Sequence, residues 1–213
     1  MPVTPRKARL TRGEQKEIRT KEILDAAWEL FCDVGYDSIT IDQIAEVAGY
    51  SRKPVYTLFG DKQSLFFELW LYRNASLTDL AVSLFDPAQS LRANLRRLAE
   101  VTAERSSLSE TYAGEGLYIV MQTIALGRPD LAARALETSA EVIKRVTKAI
   151  KSCQLEKGER LRGSAELVAA HLIAHINGLS FLRFQTGKNF IKAQDLYDLF
   201  VYMAIQNTSE RKA

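Results

Sequence analysis

The fold turns on residues 40–59, TIDQIAEVAGYSRKPVYTLF. Thr40 and Gln43 form a T-x-x-Q capping box that opens a short helix, with Ile41, Ile44, Ala45 and Ala48 on its inner face. Gly49 stops that helix. Ser51 is a good N-cap for the next one, which ends near Phe59 ahead of Gly60. Two short helices joined by a tight Gly-containing turn are a helix-turn-helix pattern, although an ordinary αα-corner packed in a core reads the same way. The surface of the second helix separates the two. At about 100° per residue, Val55, Leu58 and Phe59 cluster on one side and must face the core. Lys53 and Thr57 lie opposite, flanked by Arg52 and Tyr56, with Pro54 toward one edge. That outer side carries cations and hydroxyls but no carboxylate, whereas a merely solvated face normally mixes in Glu or Asp.

The pattern extends in both directions. Upstream, Ile23, Ala27, Leu30, Phe31 and Val34 form one face of a first helix that Gly35 ends. Downstream, Asp61 caps a long fourth helix. Beyond residue 62 the periodicity predicts five or six more helices, with breaks at Asp86-Pro87, Gly127-Arg128-Pro129, Gly158 to Gly163 and Gly187-Lys188-Asn189. No segment alternates strictly over strand length. The fold class is all-α: an N-terminal three-helix helix-turn-helix domain plus a larger C-terminal helical bundle, joined through the fourth helix. The expected division is a flexible basic arm over 1–17, the helix-turn-helix domain over 18–62, and the bundle over 63–213.

Composition narrows the classes. The 213 residues are 46% hydrophobic and 26% charged, which argues against long disorder. Two cysteines, Cys32 and Cys153, exclude a disulfide scaffold and suit free thiols in a reducing cytoplasm. The first 21 residues lack the apolar stretch of a secretory signal. No run approaches the roughly 18 apolar residues of a membrane span, so a cytoplasmic protein without a membrane partner is expected. The net charge of +3 is small, but its distribution is uneven. Residues 1–21 hold seven basic side chains (Arg6, Lys7, Arg9, Arg12, Lys16, Arg19, Lys21) against Glu14 and Glu17. Residues 22–50 hold seven acids and no Lys or Arg, and then Arg52, Lys53 and Lys62 follow. These are two basic clusters separated by an acidic face.

The outer side of the second short helix suits a DNA major groove. Arg and Lys donate to guanine O6 and N7, and a Pro ring can touch a thymine methyl. Tyr56 and Thr57 can donate to phosphate oxygens. Pro54 costs little near a helix start, where backbone N–H groups have no intrahelical partner. Lys62 stands at the start of the fourth helix, where the macrodipole disfavours a cation. A solvated lysine is the commoner explanation of that position alone; with Thr40 and Tyr56 it makes a phosphate clamp, and Thr40 would add its hydroxyl and a helix N-terminus.

Three stretches, I-L-D-A-A-x-x-L-F-x-x-x-G-Y at 23–36, T-I-D-Q-I-A-E-V-A-G-Y-S at 40–51 and V-Y-T-L-F-G-D-K-Q-S-L-F at 55–66, make residues 18–70 resemble the DNA-binding domain of the TetR/AcrR family of transcriptional regulators. The resemblance implies that Tyr56 and Lys62 hold phosphates and that residues in the 51–57 stretch meet bases, giving a DNA-binding set of Thr40, Ser51, Arg52, Lys53, Pro54, Tyr56, Thr57 and Lys62. Lys53-Pro54 departs from the small residues often found there. Arg6, Lys7, Arg9 and Arg12 could follow the DNA backbone or enter a minor groove, or form a disordered basic tail.

For the remainder the resemblance implies a ligand-binding and dimerisation bundle. Residues 164–186 are apolar nearly all round, and 193–206 carry two apolar stripes. Such helices need partners on more than one face. A two-fold dimer interface would supply one, as would a fully internal helix pair. A dimer of this kind implies a palindromic operator. Candidate effector-lining residues are Trp70, Tyr118, Gln122, His171, His175 and Asn177, with Tyr112 and Met121 beside them, and their apolar character favours a hydrophobic or aromatic effector. His171 and His175 stand at i, i+4, but no third ligand is evident, so no metal is expected. No nucleophile motif, phosphate loop or dinucleotide fingerprint occurs, so neither cofactor nor enzymatic activity is expected. The reading is a ligand-responsive DNA-binding regulator that acts as a repressor. Its rivals are a helical small-molecule-binding protein or enzyme with a structural helix-turn-helix, and a protein–protein adaptor.

Overall fold

The computed structural model describes residues 11–208, apart from the side chains of residues 109–113. The chain folds as two compact units, and the division falls within the fourth helix, between Leu69 and Trp70.

The first unit contains α1 (Arg12–Val34), α2 (Ile41–Val47), α3 (Arg52–Phe59) and the beginning of α4 (Lys62–Ser83). Helix α1 starts earlier than the apolar pattern suggested. Thr11 and Glu14 make a reciprocal capping box, so residues 12–17, expected in a flexible arm, are helical. Arg6, Lys7 and Arg9 lie outside the described residues. The core is apolar and aromatic: Ile23, Ala27, Phe31, Ile44, Val55, Leu65 and Phe66 are all buried. Phe31, Tyr36 and Phe66 pack with ring centroids 4.8–5.5 Å apart. Edge-on and tilted contacts at these distances add to the area they bury. Val34, the final residue of α1, is more than half exposed, against expectation.

The second unit contains the rest of α4, then α5 (Leu91–Ser106), α6 (Ser109–Gly127), α7 (Pro129–Ser152), α8 (Ala165–Thr186) and α9 (Ala193–Ala204). The α5–α6 break at Ser107-Leu108 carries neither Gly nor Pro, and it escaped the sequence reading. A short antiparallel ribbon also escaped it: β1 (Glu159–Leu161) pairs with β2 (Ile205–Asn207), with Arg160 opposite Gln206. Three residues are too few for alternation to register, so residues 205 and 206, expected in the last helix, belong to a strand. Leu91, Leu95, Val146, Ile150, Val168, Leu172, Leu196 and Phe200 form one buried cluster.

Helix α8 is the least expected element. Among the described helices it alone is long and apolar enough to cross a bilayer by length and composition. Here it packs on α7, α6 and α9, burying Ala165, Val168, Ala169 and Leu172 on one side. Leu167, Phe181 and Leu182 remain 45–47% exposed. Near its end Arg183 Nε donates to Glu115 Oε2 of α6 at 2.9 Å, with side chains only 5% and 9% exposed. Burial pushes the Glu115 carboxyl above its ordinary value, against the pull of Arg183. A buried pair like this is costly to break from one side, because the remaining charge is stranded. Arg183→Met should therefore cost about 3–5 kcal/mol in urea unfolding, and adding Glu115→Gln should recover most of that loss. Equal losses in the single and double variants would contradict a coupled pair.

Candidate nucleic-acid interface

The turn between α2 and α3 is built by backbone hydrogen bonds. The Tyr50 N–H donates to the Ala45 carbonyl at 2.8 Å and the Gly49 N–H to the Glu46 carbonyl at 3.0 Å. This is the paired bonding of a Schellman stop. Gly49 takes φ +74°, a conformation that costs a side-chain-bearing residue, so glycine is required there. Helix α3 then leaves the turn with Val55 wholly buried and Phe59 8% exposed. Leu58, expected beside them, is only half-buried and sits at the edge.

The opposite side of α3 faces outward. Arg52, Lys53, Tyr56 and Thr57 are all exposed, and Pro54 is half-buried. Ser51 takes the N-cap backbone conformation without a side-chain cap bond, so its hydroxyl is not spent on capping. The Thr57 hydroxyl donates back to the Lys53 carbonyl at 2.8 Å. The sequence reading missed one partner: Asp42 of α2 lies 3.8 Å from the Arg52 guanidinium. Such an exposed pair is worth little and exchanges readily.

Two expected phosphate contacts have partners within the chain. Thr40 is held in its capping box: the Gln43 N–H donates to Thr40 Oγ at 3.2 Å, and the Thr40 hydroxyl donates to Gln43 Oε1 at 2.9 Å. Lys62 Nζ donates to the Asp37 carbonyl at 3.3 Å and lies 4.3 Å from the centre of the Tyr36 ring. Burial lowers the Lys62 pKa, and the Asp37 charge opposes that shift. A carbonyl and an aromatic face thus soften the conflict with the α4 macrodipole that the sequence had suggested an anion would relieve.

A cleft of about 540 Å³ opens between α1 and α3, lined by Lys16, Arg19, Ser51, Lys53, Pro54, Thr57 and Leu58. In the sequence Lys16 and Arg19 stand out only through the basic charge of residues 1–21. Their signal was present: Arg12, Lys16 and Arg19 recur at i, i+4 and i+7, the spacing of one helix face.

The effector candidates are distributed differently. Trp70 begins the second unit on α4, Tyr118 and Gln122 share a face of α6, and His171 and His175 share a face of α8, from which Asn177 is turned away. Tyr118, Gln122, His171 and Asn177 are exposed; Trp70 and His175 are half-buried. His175 stands edge-on to Phe200 with centroids 6.4 Å apart, and burial lowers its pKa. Met121 is buried in the core. The Tyr112 side chain lies outside the described residues.

A helix-turn-helix with a cationic, hydroxyl-bearing outer side is followed by a mostly helical unit, an arrangement that suits the class of DNA-binding regulators. Residues 23–69 match the family model of the bacterial regulatory proteins, tetR family. The HTH-type transcriptional regulator AcrR of Shigella flexneri is 36% identical over 108 residues, 47% of this chain and 50% of that protein. The chain thus spans about half the length of this curated relative. Among solved structures, a putative TetR-family transcriptional regulator from Mesorhizobium loti superposes with a TM-score of 0.69 at 22% identity, covering 92% of this chain and 99% of the other. A putative transcriptional regulator from Saccharomonospora viridis, solved with choline, gives 0.66 at 23% identity, with coverage of 91% and 100%. The matches place residues 23–69 among the DNA-binding domains of the tetR family of bacterial regulatory proteins.

The Thr40 capping box has a direct consequence for stability. Thr40→Ala should lower the unfolding free energy by about 1 kcal/mol, and Thr40→Ser should restore most of it. Unchanged urea midpoints in the alanine variant would contradict the cap.

Proposed function

We propose that the protein is a ligand-responsive repressor that acts as a homodimer on a palindromic DNA operator in the cytoplasm, with no catalytic activity of its own. The observation that carries this reading is the exposed side of α3, where Arg52, Lys53, Tyr56 and Thr57 stand opposite the buried Val55 and Phe59. Arg52 and Lys53 would read base edges in the major groove, with Pro54 available to a thymine methyl. Tyr56, Thr57 and Ser51 would hold phosphates or base edges, and Lys62 with Thr40 would grip the backbone from the helix starts. Lys62 would trade the Asp37 carbonyl for a phosphate oxygen, and Arg52 would leave Asp42.

The dimer would form through α8 and α9. Leu167, Phe181 and Leu182 of α8 and Tyr202 of α9 stay exposed, and a self-complementary contact between two copies would cover them. Two copies of α3 must then stand about 34–36 Å apart to enter successive major grooves. Repression follows from occupancy, because a dimer bound across a promoter obstructs other proteins there. An effector held by the second unit would alter that spacing through α4, provided it binds one arrangement better than the other. Trp70, Tyr118, Gln122, His171, His175 and Asn177 remain the candidate contacts. The choline held by the Saccharomonospora viridis protein is consistent with a small organic effector in this fold.

Selection from a random duplex library tests the reading. It should return an inverted repeat, bound more weakly as salt rises. Lys62→Ala should weaken binding to every sequence and reduce the slope of log affinity against log salt by about one, whereas Tyr56→Phe, which removes an uncharged hydroxyl, should weaken binding to every sequence and leave that slope unchanged. Lys53→Ala should instead change the preferred base at particular positions. Failure of the folded, ligand-free protein to enrich any duplex at low salt would overturn the proposal.

A further inference from the structure

We propose that the cleft between α1 and α3 is a second backbone-binding site, in which Lys16 and Arg19 of the first helix hold a DNA phosphate beside the groove that α3 enters. The inference rests on the DNA-binding reading above and extends the contact surface to a helix outside the helix-turn-helix. Four observations carry it. The described lining includes three cations, Lys16, Arg19 and Lys53, and no carboxylate. Three like charges around one cleft repel one another unless an anion joins them. The hydroxyls of Ser51 and Thr57 also line it, and Pro54 and Leu58 add apolar surface. Cations and hydroxyls suit a phosphate, and the apolar surface suits the deoxyribose next to it, so the lining matches a nucleic-acid backbone better than a free anion.

The second observation concerns orientation. Arg12, Lys16 and Arg19 continue the stripe of α1 that carries the buried Ile23 further along. The helix side that is apolar where it meets the core is cationic where it runs beyond it. Third, Arg19 is held in place: its guanidinium carbon lies 5.4 Å from the centre of the Tyr50 ring. The Tyr50 hydroxyl in turn donates to Glu22 of α1, so the turn of the helix-turn-helix is tied to α1 at two residues. Fourth, Arg19 Nε is buried and makes no hydrogen bond, although most buried polar atoms have a partner.

The test uses the full-length protein and a duplex recovered by the library selection. Lys16 is exposed, so Lys16→Ala should leave the thermal melt unchanged. It should lower the salt slope by about 0.9 and weaken binding by the same factor for selected and scrambled duplexes. Arg19→Ala should do likewise, with Arg19→Lys retaining most of the slope. Replacing the contacted phosphate by an uncharged methylphosphonate should weaken the wild type more than Lys16→Ala, in which Arg19 alone still meets that phosphate. A wild type that binds with a normal slope, paired with a Lys16→Ala variant whose slope and methylphosphonate response are unchanged, overturns this inference alone. A wild type that shows no salt-dependent binding overturns the DNA-binding reading and this inference with it. If Arg19→Ala melts early, Lys16→Ala and Arg19→Lys decide the matter.

Discussion

The structure of the first unit depends on which side of α3 is buried. Val55 is wholly enclosed and Phe59 nearly so, against a core shared with Ile23, Ile44 and Phe66. Turning α3 about its axis would expose those side chains and bury Lys53 and Thr57. An unpaired cation in an apolar core costs several kcal/mol or more, so the rotation is closed off. The outward position of the cations is therefore a consequence of packing. The Schellman turn at Gly49 sets the direction in which α3 departs, and the rings of Phe31, Tyr36 and Phe66 hold α1 against the start of α4.

The outward groups are already engaged with weak partners inside the chain. Arg52 has Asp42, Lys62 has the Asp37 carbonyl and the Tyr36 ring, and Thr40 has Gln43. Each partner limits the freedom of a long or rotatable side chain, which reduces the ordering cost of a later contact. None is strong enough to withhold the group from a phosphate, since exposed pairs of this kind contribute at most about 1 kcal/mol. The carboxylate near Arg52 also qualifies the sequence picture of an acid-free surface: α3 itself carries no acid, but its neighbour α2 supplies one.

Much of this architecture was legible in the sequence because its signals are local. The Thr40–Gln43 box, the stops at Gly49 and Gly60, and the inner face of Ile41, Ile44 and Ala45 each follow from residues a few positions apart. Apart from the Thr11–Glu14 box that starts α1 and the break at Ser107-Leu108, which are local, the features that escaped depend on residues far apart in the chain. Lys62 meets Asp37 across 25 positions, and Arg183 meets Glu115 across 68. The β1–β2 ribbon joins residues more than forty apart and spans three on each side. The cleft between α1 and α3 likewise needs the tertiary fold to bring Lys16 beside Lys53. The effector candidates share polar or aromatic side chains and no common local spacing, and most of them lie on exposed helix faces. Polar aromatic residues and histidines on an apolar helix indicate a chemistry without specifying where it converges.

If the outer side of α3 meets DNA, a probe on that side must lie within reach of the duplex. The most direct measurement is photo-cross-linking from a benzophenone side chain placed at position 53, compared with one placed at exposed Lys144 in the second unit. Cross-links to duplex DNA are expected from position 53, lost as salt is raised, and none from position 144. Cross-linking that is equal from both positions, or absent from position 53 while DNA is bound, would contradict this contact.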